Sequence, residues 1–111
     1  MSVALTSLML ASQHGHIGCI KLLLSKGADI HERNSDGCSS IIVAAKKGQK
    51  EAVDFLLSMG ANITDKDKQG YSSLYLSALY CHYNTSEYLL SKGSGVHFRD
   101  LAWHGLPHES F

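Results

Sequence analysis

A block of 33 residues recurs three times, and that period constrains what this chain can fold into more than any single residue does. Its clearest copy carries Gly15-His16, then Leu22-Leu23-Leu24, then Gly27-Ala28-Asp29-Ile30. The same landmarks return at Gly48, Phe55-Leu56-Leu57 and Gly60-Ala61-Asn62-Ile63. A weaker copy follows at Cys81-His82, Tyr88-Leu89-Leu90 and Gly93-Ser94-Gly95-Val96. Gly27, Gly60 and Gly93 stand one period apart, as do Gly37 and Gly70. A fixed period of this size specifies stacked supersecondary units rather than one globular core.

The second copy shows how a unit is built. Arg33-Asn34-Ser35-Asp36 ahead of Gly37 reads as a turn. Ser39 is placed to cap a short helix from about Ser40 to Lys47, whose Ile41, Val43, Ala44 and Ala45 give a small apolar face. Gly48 supplies the positive φ that stops this helix and turns the chain. A second helix follows from about Lys50 to Ser58, with Ala52, Val53, Leu56 and Leu57 on one side. Helices this short are not stable alone, because nucleation is costly and the apolar face stays wet. Stacking resolves that, burying Val53, Leu56 and Leu57 against Ile20, Leu23, Leu24 and against Ser86, Leu89, Leu90.

These landmarks resemble the ankyrin repeat, a 33-residue unit with a turn, a Thr-Pro-Leu-His helix start, a Gly-His break, a Leu-rich second helix and a Gly-Ala-Asp-Val-Asn end. The resemblance covers residues 1–99, in units 1–33, 34–66 and 67–99, with 100–111 a degenerate partial repeat or C-terminal tail. It implies an all-α solenoid of stacked helix-turn-helix units with hairpin-like connectors. The chain departs from the pattern at the helix start, which reads Thr6-Ser7-Leu8-Met9, Ser39-Ser40-Ile41-Ile42 and Ser72-Ser73-Leu74-Tyr75. The capping oxygen survives, but the proline and histidine are gone. Cys81 replaces the turn glycine, where a left-handed backbone costs about 1 kcal/mol or more. The third unit is expected to be the least stable.

Composition narrows function by exclusion. Ten basic and ten acidic residues cancel, unlike a duplex-coating nucleic-acid binder, whose affinity rests on uncompensated cations. Cys19, Cys38 and Cys81 are odd in number and lack a CxxC pair, which suits free thiols in the cytosol or nucleus. The apolar stretch from Met1 to Ser12 has no Lys or Arg ahead of it, and Val3 to Ser12 align with helix positions of later units. No apolar run is long enough to span a membrane.

Catalytic signatures are missing: there is no Gly-x-Ser-x-Gly elbow, GxGxxG, GxxxxGK[ST] or HExxH, and the carboxylates are scattered through connectors. No enzyme activity and no cofactor are expected. His14, His16 and Cys19, Cys81 and His82, and His104 and His108 invite a zinc reading, but such sites need convergent ligands in short pairs. His16 and His82 occupy the Gly-His position that buttresses a neighbouring unit in the family, and Cys19 a helix-core position.

The resemblance implies a protein–protein interaction module, a scaffold or adaptor that takes a protein or peptide on hairpin tips and the exposed side of the first helices. Carried over residue by residue, that surface comprises Arg33, Ser35, Asp36, Cys38, Lys46 and Lys47, then Lys66, Lys68, Gln69, Tyr71, Leu79 and Tyr80. The lysines point to an acidic partner, and the tyrosines to affinity, since aromatics dominate interface truncations. No nucleic acid or membrane partner is expected. The resemblance also implies one modification position, His31, which follows Asp29-Ile30 where some repeats are hydroxylated by an oxygen-sensing dioxygenase.

Both ends shape the alternative. Val3, Leu5, Leu8 and Met9 are expected on an uncovered first face, so further repeats, or a partner, would cover it. At the other end Leu101, Trp103, Leu106 and Phe111 either cover the last helix pair or belong to a truncated form. The competing reading is thus a segment of a longer array, or a truncated isoform, with no binding activity of its own.

Overall fold

The computed structural model describes residues 3–92, with side chains from Ser7 onward. Six helices follow one another: α1 (Val3–Gln13), α2 (Ile17–Ser25), α3 (Ser40–Lys46), α4 (Lys50–Ser58), α5 (Ser73–Leu79) and α6 (Tyr83–Ser91). They form three antiparallel pairs, and each odd-numbered helix packs on the next odd-numbered one, each even on the next even. The described residues contain no strand; a single antiparallel bridge joins Lys66 and Ser72 across a hairpin. The architecture is the all-α stack that the period specifies. The four tail residues Leu101, Trp103, Leu106 and Phe111, the whole of 100–111, and the landmarks at Gly93 to Val96 lie outside the described residues.

One core runs the length of the stack. Leu8, Ile20, Ile41, Ile42, Val53, Leu56 and Leu89 are fully shielded, and Ala44, Ala45 and Ala52 let helices approach closely. Leu8 and Met9 are buried rather than on an uncovered first face, in a helix that packs on α2 and α3. What the first pair leaves exposed is Leu10, Leu22 and Cys19. The third pair is more polar inside. Ser77, Thr85 and Ser86 stand where the second has Ala44, Ala52 and Val53. There the Ser77 and Ser86 hydroxyls share a 2.8 Å hydrogen bond across α5 and α6.

The helix starts differ from expectation in an informative way. Ser39 and Ser72 both hold the extended backbone of an N-cap. Ser72 caps conventionally, its hydroxyl accepting from the Tyr75 amide at 3.1 Å. Ser39 does not: its hydroxyl donates to the Asp65 carboxylate at 3.1 Å, tying α3 to the following connector. Ser40 and Ser73, at the first helical position, bury hydroxyls that have no hydrogen-bond partner. Proline would remove both an orphan hydroxyl and an amide the helix does not use.

Candidate partner-binding surface

The connectors are set by carboxylate and amide caps repeated at one period. Asn34 Oδ1 accepts from the Asp36 and Cys38 amides at 2.9 and 3.0 Å. Asp67 Oδ1 does the same for Gln69 and Tyr71, both at 2.9 Å. These side chains imitate a turn's own hydrogen bonds and so fix each hairpin tip. The tips are stitched together where the Lys68 amide donates to the Asp36 carbonyl at 3.2 Å.

Arg33 completes this lattice. Its guanidinium pairs with Asp65 at 3.0 Å and donates to the carbonyls of Gly37 and Lys66, both at 2.6 Å. It is the one ion pair among the described residues. Arg33, expected on the binding surface, is exposed and has its donors fixed in the chain's own connectors. One expected contact is corrected. Cys38 is 4% exposed and lies in the core. Burial, then the negative charge of Asp67, pushes its thiol pKa up, away from a reactive thiolate. Tyr71 is half-buried against the core and stacks on Tyr75 with ring centroids 4.7 Å apart.

The remaining expected residues lie at the surface. Ser35, Asp36, Lys66, Lys68 and Gln69 are exposed on the hairpin tips. Lys46 and Lys47 end α3, and Leu79 and Tyr80 end α5 one unit further along. Lys46 Nζ reaches over the Tyr80 ring, 5.9 Å from its centroid, so the two units present a joined cation and aromatic. Tyr80 remains 50% exposed and Leu79 38%. The first helices carry no Asp or Glu at all. His31 is exposed on its connector, its amide bonded to Asp29 Oδ1 at 2.9 Å.

Sequence reasoning missed half of a polar device between units, the half at Gln49. Gln49 Nε2 donates to the Gln13 carbonyl at 3.1 Å, and one period on His82 Nε2 meets the Lys46 carbonyl at 3.0 Å. Residues 16, 49 and 82 share one column of the repeat, and the shared column was the available signal. The expected buttressing role thus holds for His82, with Gln49 doing the same work. Each key side chain lies on the preceding unit's turn glycine: a Cβ at Gly48 would sit 2.5 Å from His82 Nδ1, and one at Gly15 2.6 Å from Gln49 Oε1. Cys81 takes φ 64°, the left-handed backbone expected for it, and is the lone non-glycine to do so among the described residues.

His14 and His16 stack at 5.8 Å, but among the described residues no three His, Cys, Asp or Glu side chains converge as metal ligands. Cys19 is exposed, not the core thiol its column suggested. No described helix is long and apolar enough to cross a membrane.

Comparison with known proteins agrees with this architecture. A family model for ankyrin repeats (three copies) matches residues 6–100. No curated protein matches the chain significantly. The match takes in α1 from Thr6 onward and all of α2 to α6, and the chain belongs to the ankyrin repeat family.

Proposed function

We propose that this chain is a non-enzymatic scaffold or adaptor whose partner docks on the hairpin tips and the ends of α3 and α5. Ankyrin repeats are generally protein–protein interaction modules. The observation that carries the finer reading is the Lys46–Tyr80 pair, a cation and an exposed aromatic contributed by successive units. Lys47, Lys66 and Lys68, like Lys46, make no ion pair among the described residues. An acidic protein or peptide satisfies these cations, and Tyr80 with Leu79 supplies the desolvated anchor that such interfaces need. The zero net charge favours a protein over nucleic acid, whose affinity would demand a larger cationic excess. Three free thiols favour a reducing compartment, cytosol or nucleus.

The test is affinity capture from cytosolic extract, comparing the parent with a Lys46→Glu/Lys47→Glu/Tyr80→Ala variant of matched helicity and melting temperature. The reading expects a protein retained by the parent and lost from the variant, with retention falling as salt rises. Equal capture by both removes this surface from the function.

A further inference from the structure

Lys46 is held by the third helix pair at both of its ends. Its ammonium reaches over the Tyr80 ring, 5.9 Å from the centroid, and its carbonyl meets His82 Nε2 at 3.0 Å. A carbonyl only accepts, so Nε2 carries the proton. This carbonyl closes α3, at a helix end where carbonyls find no partner inside their own helix. His82 is itself fixed from two sides. Its amide donates to the Ser77 carbonyl at 2.8 Å, and its carbonyl accepts from the Ser86 amide and hydroxyl, both at 3.0 Å. The ring is therefore a strut from a turn anchored in α5 and α6 to the end of α3.

Distance decides what this strut does. A cation is drawn to an aromatic face within about 6 Å of the ring centroid, and Lys46 stands at that limit. The lysine stem is flexible, so the reach of its ammonium depends on where its backbone is held relative to Tyr80. The preceding junction has the same strut without the pair. There Gln49 Nε2 donates to the Gln13 carbonyl at 3.1 Å, and the columns of Lys46 and Tyr80 hold Gln13 and Lys47.

We infer that His82 is a positioning residue for partner binding: its bond to the Lys46 carbonyl sets the Lys46–Tyr80 pair, and through that pair the affinity for an acidic partner. A cation and a ring fixed beforehand spare the partner the cost of ordering them. The inference rests on the lysine and tyrosine surface proposed above, and extends it to a half-buried residue that acts through Lys46.

The experiment follows the Lys46 ε-methylene resonances of the full chain by NMR, where the Tyr80 ring current marks the pair. Each variant is also titrated with a Glu-rich peptide containing one aromatic residue. Tyr80→Leu supplies the ring-free reference. His82→Leu keeps bulk and removes the donor. It is expected to move Lys46 to the ring-free position and to weaken the peptide about two- to fivefold, the factor of an exposed cation–aromatic contact. His82→Gln offers the amide that Gln49 uses, and should restore both readouts. Gln49→Leu cuts the equivalent bond at the other junction, and should leave both as in the parent. Where His82→Leu does not fold, His82→Asn, whose amide is a methylene shorter than glutamine's, carries the same expectation. A Lys46 resonance unmoved by loss of the donor overturns the inference. So does an equal displacement by Gln49→Leu, which would make these bonds general support for the stack, and so does a displaced resonance with unchanged peptide affinity. A parent that does not bind the peptide overturns the proposed surface itself, a result distinct from the resonance readout, which needs no partner.

Discussion

The second and third helix pairs share one plan and solve it with different chemistry. Between α3 and α4 the turn is Gly48, the key is Gln49, and the interior is Ala44, Ala52 and Val53. Between α5 and α6 the turn is Cys81, the key is His82, and the interior carries Ser77, Thr85 and Ser86. The backbone tolerates both because it asks for a conformation and a hydrogen bond rather than for particular residues. Gly48 serves two demands at once, a positive φ and the space under His82. Cys81 meets the first at a cost in strain. The third pair also replaces apolar packing by serine hydrogen bonds, whose net contribution is about 1 kcal/mol each. Both differences make it the weaker unit.

That contrast can be broken most severely in the core. Leu56 is fully buried with neighbouring units on both sides, so Leu56→Ala should cost about 3 kcal/mol or more in urea unfolding. Leu89→Ala, with the fifth and fourth helices as its described neighbours, should cost less. A loss at Leu89 equal to or above that at Leu56 would contradict the ranking. Exchanging the turns comes next. Gly48→Cys should destabilise by about 2 kcal/mol, combining backbone strain with displacement of His82, while Cys81→Gly should stabilise by about 1 kcal/mol. Symmetric effects would mean that His82 does not need the space at Gly48.

A smaller gain should come from the helix starts. Ser40→Pro and Ser73→Pro each remove an unpartnered buried hydroxyl and restrict the unfolded chain, for a gain of about 0.5–1 kcal/mol apiece. Thermal unfolding of each variant checks this, and a loss at either would show that the hydroxyl is used. The smallest effect joins the two pairs from outside, where the Tyr88 hydroxyl donates to the Asp54 carboxylate. Burial first, then that hydrogen bond, pushes the tyrosine pKa up to about 12. A raised folded-state pKa means the contribution is complete below the ordinary pKa near 10 and is lost as pH climbs through about 12. Tyr88→Phe should remove this alkaline slope, and an unchanged slope would assign it elsewhere.

Much of this was legible from spacing. The period placed the turns at Gly15, Gly27, Gly37, Gly48, Gly60 and Gly70, the second helix of the middle unit runs from Lys50 to Ser58 as read, and Cys81 adopts the strained backbone its column required. What escaped were choices among equally capable atoms. Ser39 and Ser72 look alike in sequence, yet only Ser72 caps, because Asp65 is within reach of Ser39. Arg33 looks like a surface cation until the carboxylate and two carbonyls around it are seen. Glutamine and histidine at 49 and 82 share a column but no side-chain type, so the buttressing expected of His82 was not extended to Gln49, which meets a carbonyl 36 residues earlier just as His82 does. Cys38 was misplaced for a similar reason: a small residue beside a turn glycine can face either way.

The central functional claim is that an acidic partner reads the surface joining the second and third units. The most direct measurement is a chemical-shift titration of the labelled full chain with a Glu-rich peptide containing one aromatic residue. The account predicts salt-sensitive shifts centred on Lys46, Lys47, Leu79 and Tyr80 and on the tip from Lys66 to Gln69, with Lys21, Lys26 and Lys92 unmoved. Shifts centred on those second-helix lysines, or spread evenly over every exposed lysine, would contradict it.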